Sequence, residues 1–330
     1  MVKKMKLKFS FAILLFCLVS FSAQAEVVRC GTNLNTKAYA YQENGKWKGF
    51  DADICRVFAW ALHGDGNKFE MVDVRTHEIY SALQDGKIDI MLSNNLLPAT
   101  TEAKQQASEV GLLYYDRQMF AAKEVTENVT SMKDYAGKKV CVFAGADYLE
   151  NLKTYNKEHK LNFKITAFKS LRKARNAFLL KRCDLFSMQG LQLQSIIEDS
   201  PGKNLSVLPE EYAFRGVYAY TPYADNDFRV VAKWVFNALY AAEEMGLNKD
   251  NAMEFVYKKN PENTSLFGDN SSLWKVLVVK PSWLRFAIAD VGNMGEIFER
   301  NIGSQSKYKL KRGKAALIKN GGEVKVEAFK

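Results

Sequence analysis

NFKITA (162–167), SLRKARNAFLLK (170–181) and DLFSM (184–188) follow one another with two-residue gaps. A short apolar strand, a helical pattern and a second short apolar strand in such quick succession read as a crossover unit of an α/β sheet. The same alternation continues on both sides. Upstream come a strand over 138–143 and a helix over 147–159; downstream come a helix over 190–199 and a strand over 204–208. The N-terminal half repeats the theme, with a strand at Val27–Cys30, a helix over 51–62, a strand at Lys68–Val74 and a helix at Glu78–Gln84. The turn Asp85-Gly86-Lys87 then leads into a strand at Ile88–Met91. Asp51 is read as the cap of the first helix. Both halves carry one local phrase: Gly86-Lys87 or Lys181-Arg182, then Ile88-Asp89 or Cys183-Asp184, then an apolar strand. Two similar lobes built on parallel sheets are therefore expected. The extended stretches Tyr114–Ala122 and Arg215–Thr221 would link them as a two-strand hinge. A long helix over Asp225–Met245 follows, with Trp234, Leu239 and Met245 on or near its buried side and Gly246 past its end.

The first eight residues hold Lys3, Lys4, Lys6 and Lys8 and no acid, and an apolar run Phe9–Phe21 ends in Ala23-Gln24-Ala25. That is the pattern of a secretory leader over 1–25, with cleavage before Glu26, and its apolar run is shorter than the ~20 residues a spanning helix needs. Cys17 would leave with it, and losing four lysines takes the net charge from +10 to +6. No other stretch is long and apolar enough to span a bilayer, so a soluble exported protein of 305 residues is expected, enough for two domains with real cores. The basic cluster Lys307, Lys309, Lys311, Arg312 and Lys314 reads as a solvated face, and nucleic acid is not an expected partner. Four cysteines remain, Cys30, Cys55, Cys141 and Cys183, which allow three pairings. If each lobe folds by itself, Cys30 pairs with Cys55 and Cys141 with Cys183. There is no Cys-x-x-Cys and there are three histidines, so neither a metal nor a cofactor is expected.

Gly49-Phe50-Asp51-Ala52-Asp53-Ile54-Cys55-Arg56, Tyr114-Tyr115-Asp116 and Val291-Gly292-Asn293-Met294-Gly295-Glu296-Ile297-Phe298-Glu299-Arg300-Asn301 resemble the periplasmic solute-binding proteins of amino-acid ABC transporters. The likeness is to solute-binding protein family 3, in the general or polar L-amino-acid branch with its C-terminal extension, and it runs from about Val27 to Gly322. The resemblance implies a type II periplasmic-binding-protein-like fold: two α/β sheets joined by a two-strand hinge. Lobe 1 would take 26–117, lobe 2 118–215, and 216–330 would return to lobe 1. It implies a periplasmic protein that binds a small-molecule ligand between closing lobes, delivers it to an inner-membrane ABC permease, and is not an enzyme.

Members of that family hold an α-amino acid with an arginine on the carboxylate, an aspartate on the ammonium and an aromatic ring on the side chain. Here Tyr39 stands at the aromatic position. The turn carrying Asn94, Asn95 and Thr100 places Thr101 where the arginine belongs. Gly145 and Asp147 occupy the turn that meets the carboxylate, and Gln189 falls where the aspartate belongs. Both ionic grips thus read as replaced by neutral groups, with Asp147 adding a negative charge or capping the next helix. An Arg–carboxylate contact contributes ~1.5–3 kcal/mol, so weak binding of free glutamate, aspartate and glutamine is expected. Lys37 or Arg117 could substitute as a cation, although each reads first as a solvated charge. Two further readings are a receptor-derived sensing or partner-binding protein uncoupled from transport, and a dehydratase-like enzyme with Glu102 or Asp147 as acid or base.

Overall fold

The computed structural model describes residues 27–34, 36–95, 104, 106–123, 131–145, 147–254 and 272–327; the expected leader and Thr100, Thr101 and Glu102 lie outside the described residues. Ten strands appear among them: β1 (Val28–Thr32), β2 (Tyr41–Glu43), β3 (Lys46–Lys48), β4 (Phe69–Asp73), β5 (Ile90–Asn95), β6 (Ser108–Lys123), β7 (Lys139–Phe143), β8 (Lys164–Phe168), β9 (Leu185–Gln189) and β10 (Leu205–Thr221). The helices are α1 (Phe50–His63), α2 (Ile79–Gln84), α3 (Tyr148–Glu158), α4 (Leu171–Leu179), α5 (Gly190–Glu198), α6 (Asn226–Glu244), α7 (Ser272–Val276), α8 (Trp283–Val291) and α9 (Met294–Asn301).

Eight strands form one sheet in the order β4-β1-β5-β10-β6-β9-β7-β8. The two sheets foreseen from the sequence are thus the two ends of a single ladder. At one end β1 runs parallel to β4 and β5; at the other β7 runs parallel to β8 and β9. Between them β6 and β10 pair antiparallel, with register shifts between Val207 and Glu211 and between Tyr212 and Arg215. Such bulges bend the strand that carries them. The strand expected over 204–208 and the returning stretch 215–221 are one continuous β10, because β6 supplies a partner along its length. Β2 and β3 form a separate small hairpin.

Apolar side chains gather into two main cores. One is built on β1, α1, α6, α8 and α9 and buries Phe50, Phe58, Phe236, Trp283 and Phe298. The other, on β7, β9, α3, α4 and α5, buries Phe120, Leu152, Phe178 and Phe186. A smaller cluster of Val74, Ile79, Leu83, Ile88 and Tyr220 lies under α2. The disulfides are Cys30–Cys55 and Cys141–Cys183, one in each main core, as folding of each lobe by itself requires.

The start of α1 corrects one expectation. Its N-cap is Gly49, at φ 115°, and no side chain caps it. A Cβ at Gly49 would lie 2.4 Å from the Tyr39 carbonyl oxygen, so only glycine fits this turn. Asp51 sits two positions past the cap, inside the helix, and turns into the interior instead. The two longest family-like stretches meet here. Arg300 and Asn301 of α9 donate to Asp53 Oδ2 at 2.6 and 2.7 Å. Asn293 and Glu296 exchange side-chain and backbone bonds as a capping box at the head of α9. These motifs therefore bind the C-terminal region back onto α1.

Candidate functional site

β6 and β10 cross between the two cores, and Asp116 on β6 is the register partner of Arg215 on β10. Partners in an antiparallel pair stand on one face with Cβ atoms about 5 Å apart. Asp116 is fully buried. Its Oδ1 accepts the Arg117 N–H at 2.7 Å, and the backbone of Gly190 and Leu191 also bonds the carboxylate. These are the first residues of α5, whose N–H groups have no helical partner of their own. Gly190 leaves room for this approach, since a Cβ there would lie 2.9 Å from Met119 Sδ and 3.4 Å from Asp116 Oδ1. Burial pushes the Asp116 carboxyl up to about 6 against those donors. Asp116 Oδ2 is buried with no partner.

The Arg215 guanidinium lies over the Tyr148 ring, 5.4 Å from its centroid, and Nη2 donates to Asp147 Oδ2 at 3.2 Å. Its Nη1 is buried with no partner. Asp147 holds the N-cap position of α3 but makes no capping bond; its carboxylate faces Arg215 instead. The Tyr148 hydroxyl donates to Gln189 Oε1 at 2.6 Å. Behind it, Gln118 Nε2 donates to the Tyr148 carbonyl and to Ser187 Oγ, both at 3.0 Å. Tyr39 is buried at this end of the seam; burial raises its pKa well above the usual tyrosine value, and the Asp116 charge raises it further. Asp51 lies at the carboxyl end of β1, where ligands of parallel sheets bind. It accepts Thr32 Oγ1 at 2.5 Å and also the Ser93 hydroxyl, and burial pushes it up to about 7.

Of the residues singled out from the sequence, Tyr39, Asp147 and Gln189 converge on this region. The main chains of Asn94 and Asn95 pair with Tyr218 and Val217 of β10; their side chains lie outside the described residues, as do Thr100 and Thr101. Gly145 gives clearance: a Cβ there would lie 2.1 Å from the Phe143 ring. The substitute cations come out differently. Arg117 is 3% exposed rather than solvated, with Nη2 on the Lys311 carbonyl and Nη1 3.4 Å from Glu211. Lys37 is exposed and faces Asp199 at 3.7 Å. Asp116, Tyr148 and Arg215 escaped the sequence reading. The signal for Asp116 and Arg215 was a charge in each extended hinge stretch, where a buried strand would otherwise be apolar; Tyr148, at the start of α3, carried none.

Among the described residues no helix is long and apolar enough to cross a membrane, and no cluster of side chains suits a metal ion. The chain is 30% identical over 300 residues to the general L-amino acid-binding periplasmic protein AapJ of Rhizobium johnstonii, covering 89% of this chain and 87% of AapJ. It is 28% identical to the glutamate/glutamine/aspartate/asparagine-binding protein BztA of Rhodobacter capsulatus, covering 91% and 90%. Among solved structures, a periplasmic binding protein of Brucella ovis with glutathione bound superposes with a TM-score of 0.81 at 28% identity, over 92% of this chain and 97% of that one. The sequence profile of one family matches residues 28–318, and on that match this chain belongs to the bacterial extracellular solute-binding proteins, family 3.

Proposed function

We propose that this chain is the periplasmic substrate-binding component of an ABC transporter for amino acids or amino-acid-like solutes. It is exported by its N-terminal leader and hands its ligand to an inner-membrane permease. Lobe 1 comprises 26–117 with 216–330, lobe 2 comprises 118–215, and ligand is held where β6 and β10 cross. The observation that carries this reading is a buried pair of unsatisfied, oppositely charged groups on one face of the hinge, Asp116 Oδ2 and Arg215 Nη1. Each group is partly satisfied, Asp116 by backbone N–H groups and Arg215 by Asp147, but a buried polar atom left without a partner costs free energy, and a zwitterion presents the complement of both. The ammonium grip thus moves from position 189 to Asp116, and the carboxylate grip from position 101 to Arg215. Tyr39 and Tyr148 supply aromatic surface beside them, and Asp147 holds the Arg215 guanidinium in place. The names of AapJ and BztA, and the glutathione in the Brucella ovis structure, support a ligand among amino acids and small peptides built from them.

Calorimetric titration with the twenty L-amino acids and glutathione tests it. At least one should bind, and Arg215→Gln should weaken that ligand about 10- to 100-fold, the range expected for a charge-assisted grip of ~1.5–3 kcal/mol. Absence of binding by all of them, or a tight ligand indifferent to Arg215→Gln, overturns the proposal.

A further inference from the structure

A cavity of about 340 Å³ opens along the seam between the cores. Its walls are Asn33 and Thr36 from the loop after β1, Leu171, Arg172 and Arg175 from α4, and Gln192, Ser195 and Ile196 from α5. Two arginines line it and no acid does. Arg175 Nε and Gln192 Oε1 are buried without hydrogen-bond partners, and no carboxylate among the described residues pairs with Arg172 or Arg175. The acids at the far end of α5 are already engaged: Glu198 faces Lys307 at 2.7 Å and Asp199 faces Lys37 at 3.7 Å. The cavity is therefore a positively charged, amide-lined recess with donors left open.

It shares α5 with the hinge site. Gly190, against Asp116, begins the helix, and Gln192 to Ile196 follow on it. At 1.5 Å of rise per residue, the cavity begins about 3 Å and ends about 9 Å further along. An extended peptide covers that distance in one to three residues, at ~3.3 Å each.

We propose that this recess is an outer subsite for a carboxylate at the far end of an extended ligand. The preferred solute class is then a di- or tripeptide-like amino-acid derivative with a second carboxylate, and a free monocarboxylic amino acid leaves the recess unfilled. The α-amino-acid end occupies the hinge site and the distal carboxylate meets Arg175, with Arg172 and Gln192 beside it. This rests on the hinge crossing being the ligand site.

Glutathione and its glycine amide, which lacks only the distal charge, separate the possibilities by calorimetric titration. Wild-type protein should bind the acid at least about tenfold more tightly than the amide. Arg175→Gln should bring the two within about twofold, leave amide affinity unchanged, and leave the melting temperature of the free protein in place. Acid and amide bound alike by wild type, or both weakened equally by Arg175→Gln, overturn the outer subsite. Binding of single amino acids with neither glutathione form bound overturns it too, while leaving the hinge site standing. If neither the amino acids nor the two peptides bind, the reading of the hinge fails and the subsite with it.

Discussion

The β1–β4–β5 end of the sheet and the β7–β8–β9 end share a scaffold and differ in lining. In each, a central strand lies in parallel register between two neighbours. In each, the aspartate before the inner neighbour grasps the start of the central strand: Asp89 accepts the Arg29 N–H at 2.7 Å and Asp184 that of Lys139 at 2.8 Å. Each aspartate's own N–H returns the bond to the same residue's carbonyl, at 2.9 Å in both cases. The repeated phrase in the sequence is thus one device used twice, where a parallel strand pair would otherwise start with unpaired backbone groups. The polar groups beyond the carboxyl ends of the strands do not repeat. The first end buries the Asp51 carboxyl between Thr32 and Ser93; the second gathers the neutral groups of Gln118, Ser187, Tyr148 and Gln189. Backbone-tying devices are kept because both ends need them, while the lining is free to differ.

The disulfides give the largest contrast to test. Cys30–Cys55 spans 25 residues and ties β1 to α1; Cys141–Cys183 spans 42 and ties β7 to the residues leading into β9. If loop closure in the unfolded chain dominates, replacing the first pair by alanines destabilises by about 3.5 kcal/mol and the second by about 4. Urea unfolding of the two double mutants measures both. A clearly larger loss from the first pair would mean that native packing around α1, not chain entropy, sets the ranking.

Asp51 separates the two ends by pH. Its folded-state pKa is raised to about 7, above an unfolded value near 4, so the folded state holds a proton that the unfolded state has released. The resulting stability is complete below pH 4 and is lost as pH rises towards 7. Linkage puts the loss between pH 4.5 and 7 at about 3 kcal/mol. Asp51→Asn should remove about that loss and leave the smaller slope that Asp116, pushed up to about 6, contributes over the same window, whereas Gln189→Leu at the neutral end should leave the slope unchanged. An equally steep profile in Asp51→Asn would place the titration elsewhere, with Asp116, pushed up to about 6, as the next group to replace.

The contrast explains what the sequence made legible. Strand and helix alternation, the hinge stretches and the repeated phrase are local patterns, and the structure follows them with shifts of one or two residues at most boundaries. Tyr39, Asp147 and Gln189 were found because the family pattern fixes their places along the chain. Asp116 was read as hinge and as part of a family-like stretch and Arg215 as hinge alone, neither as a site residue, since what makes them notable is a cross-strand register and a missing partner, neither of which has a linear signature. Asp51 looked like a helix cap for the same reason. It stands only two residues past the true cap, and the tight turn at Gly49 sets the helix so that its carboxylate faces inward.

A smaller asymmetry lies in the repeated aspartates. Asp89 also holds the Arg29 guanidinium, with Nη2 2.5 Å from Oδ1, while Asp184 bonds only the Lys139 backbone among the described residues. Asp89→Ala should therefore destabilise by about 2 kcal/mol and Asp184→Ala by about 1, in line with charge-assisted bonds that are partly exposed. Equal losses in thermal unfolding would show that the backbone tie does all the work and that the guanidinium is replaced by water.

The seam between the ends should be the most weakly held. Lys307 meets Glu198 at 2.7 Å and Lys37 meets Asp199 at 3.7 Å, each joining the first core to α5. Both lysine side chains are more than half exposed, so water screens the pairs and holding the long side chains offsets part of the attraction. Lys307→Ala should lower stability by less than about 1 kcal/mol, and the difference from wild type should vanish in 1 M salt, where the Debye length falls to ~3 Å. Lys37→Ala should do less still, because its partner stands further off and is itself half exposed. Weak contacts of this kind are what the proposed closing of the two cores around a ligand requires, since a strong latch would favour closing without ligand. A salt-insensitive loss above 2 kcal/mol from Lys307→Ala would instead make the seam a permanent interface, and the two ends one rigid body.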